Sequence, residues 1–196
     1  MSQKMISSAY KVGIPAGVLA AVFFALGLDS FFNYTNKMEF CISCHEMETT
    51  VYQEYKKSLH YKNVNGVRVT CPDCHVPKEY PEKFYAKIFA AKDVYHSILG
   101  TIDTKEKFEE QRLVMAERVW RRMSATKSRE CLNCHDYDAM EIKEQGRKSR
   151  RKHPAAMDLG MHCINCHKGI VHRLPKGVRK TDTIGPDGKI IKDEPQ

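Results

Sequence analysis

The chain has no spare cysteine, since all eight in its 196 residues fall in four pairs with two residues between partners. No odd thiol is left over, which makes chance spacing a poor explanation. Charge is missing between Lys11 and Asp29, so Val12 to Leu28 is almost wholly apolar. No convincing small-x-small cleavage site follows that run; Ala25-Leu26-Gly27 is the nearest approach, and the run is long for a signal peptide. Periodicity is missing after Leu174, where Pro175, Gly177, Gly185, Pro186, Gly188 and Pro195 interrupt any helix or strand pattern. Residues 176–196 therefore read as a flexible tail.

What is present is a fourfold repeat of Cys-x-x-Cys-His: Cys41-Ile-Ser-Cys44-His45, Cys71-Pro-Asp-Cys74-His75, Cys131-Leu-Asn-Cys134-His135 and Cys163-Ile-Asn-Cys166-His167. Two thiols three residues apart can form thioethers to the two vinyl groups of one haem, and the next residue sets an imidazole against the iron. Zinc knuckles share the Cys-x-x-Cys element, but two sites closed by thiolates give no reason for a histidine after every second cysteine. A disulfide framework has no use for that histidine either. The reading is four covalently bound haem c groups held through Cys41, Cys44, Cys71, Cys74, Cys131, Cys134, Cys163 and Cys166.

Seventeen residues of helix span roughly 25 Å, and Ser30, Phe31 and Phe32 lengthen the run towards an aromatic end at Tyr34. Aromatic residues at that point suit a membrane interface. The expected layout is a cytoplasmic N-terminus at 1–11, a transmembrane anchor at 12–34, a haem domain outside the membrane at 35–175, and the tail. Lys4 and Lys11 hold the short N-terminus inside.

Lysine and arginine number 32 against 24 acidic residues, a formal charge of +8. That balance alone raises nucleic acid as a partner. Each ferric haem with two neutral axial ligands and two ionised propionates brings about −1, so four offset roughly half of the excess. Nucleic acid is therefore not an expected partner.

The fold class is mainly α, one N-terminal transmembrane helix plus a compact multihaem domain with the haems forming its core. Helical spacing predicts helices over Glu46 to His60 and from Pro81 through Phe84, Ile88 and Tyr95. A third is predicted from Asp103, with Glu106 closing a capping box, through Phe108, Met115, Val119 and Trp120. Of nine histidines, four follow the cysteine pairs, leaving His60, His96, His153, His162 and His172. Low-spin electron-transfer haems need two axial ligands each. His60 at a helix end, His153 in a basic loop before Pro154, and His172 are the expected distal ligands, opposite His75, His135 and His167. His162 abuts Cys163 and reads as a spectator, and His96 is unassigned. In the first motif Met47 lies two residues past His45; a thioether can ligate haem, and it can equally be packing.

The N-terminal anchor, the four motifs, Cys41-Ile-Ser-Cys-His-Glu-Met47, Thr70-Cys-Pro-Asp-Cys-His-Val-Pro77, Lys92-Asp93 and Cys163-Ile-Asn-Cys-His-Lys-Gly-Ile-Val-His172 together resemble the NapC/NirT family of membrane-anchored quinol dehydrogenases. Gly100-Thr-Ile-Asp-Thr-Lys-Glu-Lys-Phe108 and Ser128-Arg-Glu-Cys131 resemble its NapC branch. The resemblance implies a tetrahaem cytochrome of the bacterial inner membrane, with its haem domain in the periplasm. It implies that menaquinol or ubiquinol is oxidised there and that electrons pass to a periplasmic reductase of anaerobic respiration, nitrate reductase first. It further implies that Met47 ligates the first haem, that Asp93 covers that haem's other face, and that Lys87 holds the quinol oxygen. Implied partners are the quinol pool, the bilayer and the reductase, with a homodimer left open. Two alternatives stand: an electron conduit without a quinol site, and a quinol dehydrogenase serving a nitrite or other reductase.

Overall fold

The computed structural model describes residues 3–185 and 187–192, with side chains from Tyr10 onward. The chain divides into two compact units, the first ending at Cys41 and the second beginning at Ile42. The boundary falls inside the first cysteine motif rather than at residue 35.

The first unit is a helix, α1 (Gln3–Thr35), followed by one turn, α2 (Met38–Cys41). Its 26-residue stretch Tyr10–Thr35 has a mean hydropathy of 1.9 and none of its most apolar window is buried. An uninterrupted run of apolar side chains turned outward is the pattern of a helix solvated by lipid. At about 1.5 Å per residue the stretch reaches roughly 39 Å, enough to cross a bilayer without the shortfall that seventeen residues leave. The Thr35 hydroxyl ends the helix by donating to the Phe31 carbonyl (3.0 Å).

The second unit is helical apart from one two-stranded ribbon. Its elements are α3 (His45–Thr49), α4 (Val51–Tyr55), α5 (Cys71–His75), α6 (Glu82–Ile98), α7 (Lys105–Ala125), α8 (Arg129–Leu132), α9 (Arg147–Asp158) and α10 (Cys163–Cys166), then β1 (Thr183–Ile184) paired antiparallel with β2 (Ile190–Ile191). The single helix expected over 46–60 is two, because Thr50 leaves helical geometry at φ −113° and ψ −90° while its hydroxyl donates to the Glu46 carbonyl. Pro81 caps α6 rather than entering its first turn. α7 starts one residue later than the pattern suggested: Thr104 is the cap, accepting from the Lys107 amide, and Asp103 instead pairs with the Lys107 ammonium at 2.7 Å. His153 is not in a loop. It lies inside α9 with Pro154, which leaves the Arg150 carbonyl without its helical donor.

α7 is the spine. Its buried Trp120 and Met123 pack with Ile164 of α10 and Ile184 of β1 to form the small apolar core, with Val119, Leu174, Val178 and Ile190 around it. Buried apolar side chains are otherwise few: Tyr55 and Phe108 complete those of this unit among the described residues.

Residues 176–185 and 187–192 correct the expectation of a flexible tail, for they form a strap across α7 and α10; Pro186 and 193–196 of that expected tail lie outside the described residues. Asp182 and Ile184 are both 2 % exposed. The Asp182 carboxylate accepts from the Arg179 amide (2.8 Å) and Nε (3.1 Å), and Asn165 donates to the Ile184 carbonyl (2.7 Å). Buried Lys168, one residue past His167, donates Nζ to the Asp182 carbonyl. The glycines that looked like disorder are turn and contact residues. Gly188, at φ +79°, brings its backbone so near Arg121 that a Cβ there would lie 2.4 Å from the Arg121 Cα.

Ile184→Ala should cost about 2–4 kcal/mol, the range for emptying a filled aliphatic site. Urea unfolding followed by far-UV circular dichroism measures it. A loosely draped tail would give no change.

Candidate functional site

The second and fourth cysteine motifs form single helical turns, and the third starts at the end of α8 and continues as a turn in which the Cys131 carbonyl accepts from His135 N (2.9 Å). Positions i, i+3 and i+4 share a helix face, so one turn presents two thiols and an imidazole on the same side. In α5, Asp73 Oδ2 accepts from the Thr70 amide (2.7 Å) and hydroxyl (2.6 Å), closing the start of the turn. In α10 the His162 amide donates to Asn165 Oδ1 (2.6 Å), so His162 caps this turn through its backbone. The first motif is split, with Cys41 ending α2 and His45 opening α3.

Ser128 joins the third motif to the fourth. It is fully buried, sits at φ +57° after Lys127 at +54°, and its Oγ accepts from the Ile164 amide at 3.1 Å while its carbonyl accepts from Cys131 N at 2.9 Å. Two consecutive non-glycine residues in the left-handed region cost energy that the rest of the fold must offset. The turn they make sets Cys131 beside Cys163, whose hydrogen bond, helped by burial, pushes the Cys131 thiol up. Cys74 of the second motif lies near enough to Cys134 and Glu130 for their charges, after burial, to raise its thiol as well.

The imidazoles meet in twos. His135 and His60 have ring centroids 6.2 Å apart, His75 and His172 are also at 6.2 Å, and His167 and His153 are at 5.9 Å. Each pair joins the histidine of one motif to a histidine distant in sequence. A metal held between two nitrogens at ~2 Å each, plus ~1.1 Å from nitrogen to centroid on both sides, needs ~6.2 Å, and the three pairs lie within a few tenths of that. Among the described residues no three of His, Cys, Asp and Glu converge as a metal cluster. Two facing imidazoles, one of them next to a Cys-x-x-Cys pair, make the donor set that a covalently attached haem iron would use. A cavity of about 380 Å³ lies between the first and third of these pairs, lined by Leu59, His60, Cys166, His167, Lys168 and Ile170. The residues present therefore fit haem c.

Electrostatics keep the rings ready. Burial, then the neighbouring His172 and Arg122, pushes His75 down to about 3, and burial first also lowers His172 and His60. A neutral imidazole is the ligating form. His153 Nδ1 lies 2.6 Å from Gln145 Oε1, an acceptor that holds the proton on Nδ1 and leaves Nε2 its lone pair. His172 Nδ1 lies 3.9 Å from Glu54 Oε2. That carboxylate belongs to a closed ion network: buried Arg112 takes Glu54 at 2.8 and 3.1 Å and Glu109 at 2.8 and 2.9 Å, and Arg173 Nη2 meets Glu109 at 2.6 Å.

Gly169 shapes the return from His167 to His172. At φ +72° its absent Cβ would fall 2.7 Å from the Leu174 side chain. His45 forms no imidazole pair among the described residues and is exposed; Met47 lies half-buried on the same short helix. Lys87 and Asp93 are both on α6. Asp93 Oδ1 accepts from Arg118 of α7 at 3.1 Å, and both side chains are exposed. His96 Nδ1 sits 3.1 Å from the Thr101 hydroxyl, and neither it nor His162 joins an imidazole pair. Gln145, Glu54, Arg112 and Ser128 escaped the sequence reading. Gln145 is eight residues from its partner and Arg112 is 58 from Glu54, with no local pattern linking them.

These are the features of a multihaem c-type cytochrome on a single membrane anchor. Residues 3–177 match the NapC/NirT cytochrome c family, N-terminal region. The chain is 51% identical over 178 residues to a "putative tetraheme cytochrome-c type" protein of Allochromatium vinosum, covering 89% of this chain and 96% of that one. It is 48% identical over 159 residues to the cytochrome c-type protein NapC of Escherichia coli K12 (81% and 80% covered), and 46% identical over 178 to the denitrification system component NirT of Stutzerimonas stutzeri (90% and 89%). No solved structure matches. The chain belongs to the NapC/NirT family of tetrahaem c-type cytochromes, electron-transfer proteins carrying covalently bound haem c.

Arg112→Met takes the buried cation from Glu54 and Glu109 and leaves them only the exposed Arg173. It should cost about 3–5 kcal/mol, the range for breaking a buried pair from one side, whereas Lys107→Met, which breaks an exposed pair, should cost under about 1 kcal/mol. Thermal unfolding of the two variants makes the comparison.

Proposed function

We propose that this protein oxidises membrane quinol and passes the electrons to a periplasmic reductase, nitrate reductase being the expected one. The observation that carries the reading is an asymmetry: His75, His135 and His167 each face a second imidazole, and His45 does not. Three centres with two imidazoles each are coordinatively full and suited to conduction. The first is built differently and is the natural point of entry. The family, and the names NapC and NirT among its relatives, support the same direction of flow.

The assignments follow. Cys41 and Cys44, Cys71 and Cys74, Cys131 and Cys134, and Cys163 and Cys166 make the thioethers. His75 with His172, His135 with His60, and His167 with His153 would each hold one iron, and Met47 would serve the first centre. When bound, the haems supply one-electron carriers in series. A quinol releases two protons as it gives up two electrons, so a base is needed at the first centre. Asp93 is that base, through Oδ2, which has no other hydrogen bond among the described residues while Oδ1 is held by Arg118. Lys87 is six residues earlier on the same helix, about 120° away around it, and holds the quinol oxygen. The Asp93–Arg118 pair also suits a second reading, a conduit fed by another protein, in which Asp93 is half of a surface ion pair.

Three measurements test this. Mass spectrometry of the denatured protein should show a gain of about 2.5 kDa over the bare chain, from four haems on eight thiols. His60→Ala, His153→Ala and His172→Ala should each turn one low-spin haem high-spin, with His162→Ala and His96→Ala spectrally silent; a high-spin signal from His162→Ala would exchange ligand and spectator. Asp93→Asn should slow steady-state quinol oxidation about 10²-fold, the scale of losing a general base, with haem content and dithionite reduction unchanged. An unaltered rate would leave the conduit reading.

A further inference from the structure

The N-terminal half of α9 carries charge that stability does not explain. Arg147, Lys148, Arg150, Arg151 and Lys152 are five of its first six residues, and all are exposed. Among the described residues none of the five is in an ion pair, whereas Arg112, Arg118, Arg129, Arg173 and Arg179 all are. The first turn of α9 has no acidic residue, so the cations stand at the positive end of the helix dipole. Arg147 with Arg150 and Arg151, and Lys148 with Arg151 and Lys152, repel at three- and four-residue spacing, each pair costing a few tenths of a kcal/mol. A helix that holds such an arrangement does so for something outside itself.

The same helix carries His153, whose ring faces His167 at 5.9 Å. At 100° per residue, Arg147, Lys148, Arg151 and Lys152 lie about 100–160° around the helix from His153. The histidine therefore points to the fourth centre while the cations cover the opposite side. A molecule resting on those cations is separated from that centre by one helix, about 10–12 Å with side chains.

We propose that this basic face of α9 docks an acidic redox protein and that the His153–His167 centre is the point from which electrons leave; the proposal rests on the electron-transfer reading above. Small, polar, charge-steered interfaces are the usual form of transient electron-transfer contacts. Residues 147–152 offer no apolar side chain to insert among lipids, which an interfacial membrane helix requires.

The test uses the full-length haem-loaded protein in discs of zwitterionic lipid, reduced with dithionite and mixed with one of two protein oxidants of similar size, an acidic blue-copper protein or a basic cytochrome c. At about 20 mM salt the acidic oxidant should react faster, and the advantage should vanish by about 500 mM as screening shortens. The triple variant Arg147→Gln, Lys148→Gln, Arg151→Gln should lose about tenfold of the low-salt rate with the acidic oxidant alone, keeping its low-spin spectrum. A rate equal to that of the unmutated protein overturns the proposal. So does loss of the acidic oxidant's reaction in discs of anionic lipid, which would assign the patch to the membrane. Reduction of the haems by quinol, measured separately on both proteins, fails only if the quinol reading is wrong, because the docking assay starts from chemically reduced protein.

Discussion

The second unit of this protein is organised around three pairs of imidazoles whose centroids lie about 6 Å apart. That spacing suits a metal between two nitrogens, and the backbone on either side fixes it. One ring of each pair is set by a turn that also fixes two thiols. The other arrives from a remote segment: the turns after α4, the middle of α9, or the loop closed at Gly169. Where porphyrin supplies apolar volume, the polypeptide needs few aliphatic residues of its own, and the single small cluster around Trp120 is what remains.

α7 reconciles the parts. From it Arg118 reaches Asp93, Arg112 closes the network beside His172, Trp120 and Met123 form the core, and its left-handed exit at Lys127 and Ser128 sets the third and fourth motifs side by side. The arginines on this helix do unlike work. Arg112 is buried and doubly bidentate, so its worth lies in neutralising two largely covered carboxylates. Arg118 is exposed and contributes little to stability.

Much of this was legible in the residues. Cys-x-x-Cys-His is a local code, complete within five residues, and so is an uncharged run of apolar ones. Counting left five histidines outside the motifs, and the three singled out by their positions, His60, His153 and His172, are those whose rings face a motif imidazole. What could not be read was anything created by chain closure. Which distal histidine faces which motif depends on the turns at Ser128 and Gly169. Gln145 becomes visible as a partner of His153 only when the turn before α9 brings them together. Residues 176–185 and 187–192 misled for a specific reason: glycine and proline were taken as breakers, whereas Gly188 is required for contact with Arg121, and strands of two residues are too short to show alternation. Boundary errors at Thr50 and Thr104 came from side chains that bond their own backbone, a competition that periodicity does not register.

The strap has a consequence in time as well as in space. A polypeptide emerges from its N-terminus, so the turn bearing Cys163 and Cys166 appears before the segment that packs on it. Until Asp182 and Ile184 arrive, Asn165 and Lys168 lack their carbonyl partners and Ile164 lacks Ile184. In the finished fold Cys163 is half-buried and Cys166 exposed, so of that pair it is Cys163 that folding makes harder to reach.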